Sequence, residues 1–179
     1  MEEKEELKTN KFAIEYGILT GGTGLIFAVM LFVLDAHYEN STSTQIINGT
    51  IQLVGVTIAC IAFKKANYGF ITLSQALKTG VGVSLILAIM SVTYTLLLTN
   101  FVEPDFMDKA LKISYNNTLE QYPEALANMD LNQYISAAKP YTWFSYPAIL
   151  MITLFFGFIE SLIVGLICLL YTSPSPRDS

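Results

Sequence analysis

Arginine is nearly missing from this chain of 179 residues, the single one being Arg177, and histidine occurs once, as His37. A lone histidine at a segment boundary, with no cysteine or second histidine beside it, cannot supply the donor set of an ordinary zinc or copper site. Cysteine occurs twice, and because Cys60 and Cys168 both lie in apolar runs they read as buried, inert thiols rather than a disulfide framework or a metal knuckle. Charged residues make up only 14%, with a formal net charge of −5 and lysines scattered in small groups, so no basic patch for nucleic acid exists. There is no GxSxG, HExxH, Walker loop or dinucleotide fingerprint. Asp105 and Asp108 share one helical face, where paired acids serve mainly solvation. No enzyme activity, cofactor or metal is therefore expected.

What is abundant is apolar sequence. Hydrophobic residues reach 53% and the mean hydropathy is +0.48, values that belong to a protein dissolved in lipid. A bilayer core of about 30 Å needs about 20 apolar residues per helix. Four runs meet that length, at about residues 16–34, 46–63, 79–98 and 147–167. The fold expected is an all-α integral membrane protein of four transmembrane helices, one domain over residues 1–167. The first run is long enough to span, and the acidic EEKEELK before it does not resemble a cleavable leader.

The polar stretch between the second and third runs orients the rest. It carries Lys64, Lys65 and Lys78, and the N-terminal segment carries Lys4, Lys8 and Lys11, whereas Asp35 to Gln45 has no Lys or Arg. The positive-inside bias then places the hairpin and both termini on the cytoplasmic side of the membrane. Within the hairpin, Asn67-Tyr68-Gly69 is a turn, and Phe70 to Lys78 restarts a helix, capped by Thr72 or Ser74, lying at the interface before turning inward. Residues 99–145 form the one long outer excursion. Pro104-Asp105 starts a helix there, Pro123 breaks the next stretch, and Asp130 caps another, so short amphipathic helices should lie over the bundle mouth. Tyr141, Trp143 and Tyr146 mark the outer interface.

Small residues give the spans faces for close approach: Gly17, Gly21 and Gly24 on the first, Gly80 and Gly82 on the third. The partners implied are the lipid bilayer and either a second copy or another membrane protein. Two polar residues lie inside spans. Gln52 is the kind of amide that bonds helix to helix. Glu160 is costlier, since an ionised group in hydrocarbon costs about 2.5–3.5 kcal/mol, so it is either protonated or hydrogen-bonded in the bundle or part of a proton or ion path. Gln52, Thr20 and Thr23 are its expected partners, and Glu160 with Gln52 is the one intramembrane polar site that a transporter or channel subunit would use.

The segment KKANYGFITLSQALKTG leading into the third span, and NFVEPDFMDK leaving it, resemble the bacterial four-span membrane family designated domain of unknown function forty-one ninety-nine. The resemblance covers about residues 12–167. It implies an integral inner-membrane protein and brings no catalytic or binding residues, and Glu160 has no place in the family pattern. Cys168 to Asp178, CLLYTSPSPRD, reads as the translation of a transposase sequencing adapter, so residues 168–179 are taken as a non-native tail. The competing reading is a native proline-rich one.

Overall fold

The computed structural model describes residues 8–38 and 41–170. The described residues are predominantly helical and contain no strand. Four helices are long and apolar enough to cross a bilayer: α1 (Thr9–Val33), α2 (Thr42–Ala66), α3 (Leu73–Leu97) and, after two shorter ones, α6 (Ser145–Leu170). Between the last two lie α4 (Phe106–Gln121) and α5 (Leu131–Ala138), which cap one end of the bundle. The four expected spans are present, each extended by a few residues. Residues 1–7, 39–40 and 171–179, which include the acidic EEKEELK segment, its Lys4 and most of the expected non-native tail, lie outside the described residues.

The extensions have local causes. α2 starts at Thr42 because the Ser41 hydroxyl accepts the Thr44 N–H. α3 starts at Leu73 on a capping box, Thr72 accepting from the Gln75 N–H while the Gln75 side chain accepts from the Thr72 N–H. The separate interfacial helix expected over Phe70 to Lys78 does not form. Residues 73–97 are one helix, because no breaker stands between Lys78 and Thr79 and the glycines that follow are held by packing. The turn itself runs through positive φ at Tyr68 (55°) and Gly69 (83°), with the Gly69 N–H reaching back to Lys64 O at 2.9 Å. At the same end the Lys64 ammonium donates to Cys168 O at 2.8 Å, satisfying a terminal carbonyl of α6.

α3 is the central element. It packs against α1 on one side and α6 on the other, α2 lies against all three, and α1 and α6 stay apart. The glycines make this possible. A methyl group at Gly17 would stand 2.8 Å from Ile86 Cβ, one at Gly82 would stand 2.6 Å from Ala13 Cβ, Gly21 lies against Met90, and Gly24 lies 3.4 Å from Leu87 by the same measure. These four bring α1 onto α3. Gly80 faces Ser161 and Val56, joining α3 to α6 and α2, and Gly55 receives Thr20 of α1. The small-residue faces of Gly17, Gly21, Gly24, Gly80 and Gly82 are thus used inside the chain. The core between α2, α3 and α6 is built from Val56, Ala59, Phe63, Ala76, Val83 and Val164. Its close packing supplies the dispersion that holds helices together where no hydrophobic drive acts between them.

α3 ends in a π turn, Leu98–Val102. Thr99 Oγ1 donates to Thr95 O at 2.8 Å and Asn100 Nδ2 to Leu96 O at 2.8 Å, so side chains engage the last carbonyls, and the Glu103 N–H bonds Leu98 O at 2.7 Å. The Asp130 cap is as expected, a capping box with Gln133. Tyr141 and Trp143 are exposed just before α6, as an interfacial belt requires.

Candidate functional site

Two polar constellations stand out, one at the cap end and one inside the bundle. At the cap end, α1 finishes with Asp35 in the left-handed region (φ 54°) and the Ala36 N–H bonded to Leu31 O at 2.9 Å, which turns His37 and Tyr38 back over the helix end. The π turn of α3 delivers Glu103 to the same place. Glu103 then accepts three bonds: from His37 Nε2 at 3.0 Å, from the Tyr38 hydroxyl, and from the Lys109 ammonium of α4. Lys109 also donates to the Tyr38 oxygen at 3.1 Å. Phe106 stacks on both rings, 5.9 Å from His37 and 5.5 Å from Tyr38, and Phe32 approaches His37 at 5.0 Å. The His37 and Glu103 side chains are only 7% and 17% exposed.

The electrostatics follow from this geometry. The Lys109 hydrogen bond, then those of Tyr38 and His37, pull the Glu103 carboxyl from its ordinary 4.5 to about 2. The same bond raises the Lys109 ammonium, and Tyr38 is raised by burial and by the neighbouring carboxylate. A carboxylate so held is ionised at neutral pH with its oxygens committed. It is suited to fastening the α1–α2 turn, the end of α3 and α4 together, not to proton transfer. A cleft of about 390 Å³ opens beside it, lined by Tyr38, Ser114, Asn117, Gln121 and Tyr122 among others. No group of three His, Cys, Asp or Glu that could hold a metal ion occurs among the described residues.

Inside the bundle, Gln52 is buried and its Nε2 donates to Ser84 Oγ at 3.2 Å and to Thr153 O at 2.9 Å, joining α2, α3 and α6. Ser84 donates in turn to Gly80 O at 3.1 Å. Gly157 makes the room, since a methyl group there would meet Ser84 and come within 3.2 Å of Gln52 Nε2. Replacing Gln52 by Leu should destabilise the bundle by about 1 kcal/mol, the usual scale of such a bond in membranes. Unfolding of both proteins in mixed micelles measures it, and an unchanged midpoint would show that the amide is only tolerated.

Glu160 does not join this network. Gln52 is level with Thr153, and Glu160 lies seven residues, about 10 Å, farther along α6. Thr20 and Thr23 bond the carbonyls of Tyr16 and Leu19 in their own helix at 2.7 and 2.9 Å. The partners expected for Glu160 are therefore engaged elsewhere. Glu160 is partly buried, and its Oε2 is shielded from solvent with no hydrogen-bond partner. Sequence reasoning placed Gln52 in a helix contact and missed the Glu103 cluster altogether. His37 and Glu103 are 66 residues apart, and the only local hint was a lone histidine and tyrosine facing a segment with unpaired acids.

Four long apolar helices around a glycine-packed core, with a helical cap fastened by a half-buried carboxylate, define a multi-pass membrane protein. The chain belongs to the family described as Protein of unknown function (DUF4199), which it matches over residues 15–169. No curated protein and no solved structure matches it.

Proposed function

We propose that this protein is a structural or interaction subunit of an assembly in a bacterial inner membrane, with the Lys64 hairpin and both termini cytoplasmic and the α4–α5 cap outside. The observation that carries this reading is the closed bundle axis. Where α3 meets α6, Gly80 lies against Ser161 and Gly157 against Ser84, with no room for even a methyl group, so the folded chain has no solute path there. What it offers instead is a polar surface on α4, fixed to the bundle by Glu103. The orientation rests on Lys8, Lys11, Lys64, Lys65 and Lys78 gathering at one end.

Two measurements test it. With Cys60 and Cys168 replaced by Ala, Ser43→Cys should react with an impermeant thiol reagent from outside and Ser74→Cys should not, and the reverse pattern would invert the topology. A photo-crosslinking residue at Asn117 should give one discrete adduct in native membranes, and its absence would count against an assembly role. One observation favours a second reading, a small transporter or channel subunit: the unpartnered carboxyl oxygen of Glu160 within a span. If purified protein in liposomes carried a proton-coupled flux that Glu160→Gln abolished with folding intact, that reading would replace the first.

A further inference from the structure

α4 is tied down on one side and open on another. At its start Lys109 bonds Glu103, Phe106 stacks on His37 and Tyr38, and the Lys139 ammonium donates to Asp108 at 2.9 Å. Further along, the Tyr115 hydroxyl donates to Met129 O at 3.1 Å, and the hydroxyls of Ser114 and Tyr134 meet at 3.1 Å. Thr118 is turned onto its own helix, donating to Ser114 O at 2.8 Å. None of these contacts uses the side chains of Ala110, Ile113, Asn117 and Gln121. Spaced three or four residues apart, those four share one face of α4. With Tyr38 and Tyr122 they line the cleft of about 390 Å³ beside the Glu103 cluster.

The lining is amphipathic and uncharged. Ala110 and Ile113 are half-buried and give it an apolar part. Asn117 and Gln121 are exposed, and neither side-chain amide has a hydrogen-bond partner among the described residues. Tyr122 is 65% exposed, and its ring stacks on no other among the described residues. The charged pair beside Tyr38, Glu103 with Lys109, is closed on itself. An ionic ligand would therefore find no counter-charge in the lining. A wholly apolar one would take two amides out of water with nothing to bond, which is unfavourable for each. The volume falls within the range of roughly 300–1,000 Å³ typical of small-molecule sites.

We infer that this cleft binds a neutral saccharide, with the amides of Asn117 and Gln121 bonding its hydroxyls and the Tyr122 ring lying against the sugar. A pyranose ring has the same mixed character as the lining, C–H groups on its faces and hydroxyls around its rim. Each carboxamide carries donors and an acceptor, so it can bond two neighbouring hydroxyls at once, donating to one and accepting from the other. Asn117 and Gln121 stand one helical turn apart, a spacing comparable with the width of a sugar ring. Tyr122 supplies an aromatic face for the C–H groups. A peptide is the poorer occupant: an extended one adds to a sheet edge and a helical one needs an apolar groove, and the described residues contain no strand while this lining is half polar. Because the Glu103 cluster and the Tyr115 and Ser114 bonds already hold α4, the cleft is formed before any ligand arrives, and little ordering cost opposes binding. The inference goes beyond the assembly reading and does not depend on it.

The test uses the full chain in nanodiscs prepared without glycoside detergents, titrated with maltose and with N,N′-diacetylchitobiose and followed by saturation-transfer NMR on the sugar. The expected result is saturable binding of at least one of the two, with a dissociation constant that rises by about threefold to tenfold in Asn117→Leu and in Tyr122→Ala, the scale of one lost hydrogen bond or ring contact. Asn116→Leu, on α4 but outside the cleft, should bind as wild type does. Because residues 116, 117 and 122 are all exposed, hydrogen exchange in α4 should match wild type in the three variants, which shows that the cap keeps its fold. No saturable signal from either sugar up to its solubility overturns the proposal, as does unchanged affinity in Asn117→Leu or Tyr122→Ala, or an equal loss in Asn116→Leu. Binding of the capped peptide acetyl-trialanine amide, with neither sugar bound, also overturns it and makes the cleft a peptide site. A discrete protein adduct from position 117 in native membranes without sugar binding defeats this inference alone. Sugar binding without such an adduct defeats the assembly reading alone.

Discussion

Gly80→Ala should destabilise the bundle by about 1–3 kcal/mol, and Gly80→Leu should prevent folding. The added methyl group would stand 2.8 Å from Ser161 Cβ and 2.9 Å from Val56 Cγ1 and would strike the Ser161 hydroxyl. Neither neighbour can give way, since Val56 and Ser161 are fully buried between α2, α3 and α6. Overpacking of this kind costs about 1–3 kcal/mol. It exceeds the helix-propensity gain of Ala over Gly, about 0.5–1 kcal/mol. Gly22→Ala is the matched control, because a methyl group there meets nothing within 4 Å, and it should be neutral or slightly stabilising. Unfolding midpoints of the three variants in mixed micelles decide the matter. Equal midpoints for Gly80→Ala and wild type would mean that α6 can slide away from α3, and the closed axis invoked for the assembly role would lose its support.

The second large effect is expected at Glu103. Glu103→Ala should release the cap from the bundle, because it removes the acceptor shared by His37, Tyr38 and Lys109 and leaves the His37 N–H buried without a partner. Hydrogen exchange in α4 should then rise by orders of magnitude while α1, α3 and α6 stay protected. The pH dependence has a definite sign. The carboxyl ordinarily titrates near 4.5 and is held at about 2 in the folded protein, so its contribution is fully present above about 4.5 and is lost as pH falls toward 2. Cap protection should fade over that window in the wild type, and Glu103→Gln should remove the dependence. A cap that stays protected in Glu103→Ala would show that Phe106 stacking on His37 and Tyr38 suffices to hold it.

The four spans, the turn at Asn67-Tyr68-Gly69, the Asp130 cap and a cap at Thr72 or Ser74, which the structure places at Thr72, were legible because each depends on near neighbours in the chain. Apolar length sets a span, and a hydroxyl or carboxylate three residues before an N–H sets a cap. The glycine stripes were also legible as packing faces. Their partners were not, because a small-residue face does not state whether its complement is in the same chain, and here Gly17, Gly21 and Gly24 meet α3. Glu160 shows the opposite failure. Two polar residues in neighbouring spans invite pairing, but their relative depth depends on where the helices cross.

Composition and the length of the apolar runs alone determined that this chain is a four-span membrane protein with a polar excursion before its last helix, since about 20 apolar residues in a row suit a spanning helix, which satisfies its own backbone groups in lipid. Tertiary structure alone decided which polar groups meet. The left-handed turn after α1 and the π turn after α3 bring His37, Tyr38, Glu103 and Lys109 together. Those outcomes depend on helix crossings set by glycine contacts between distant segments, and such contacts carry no local signature.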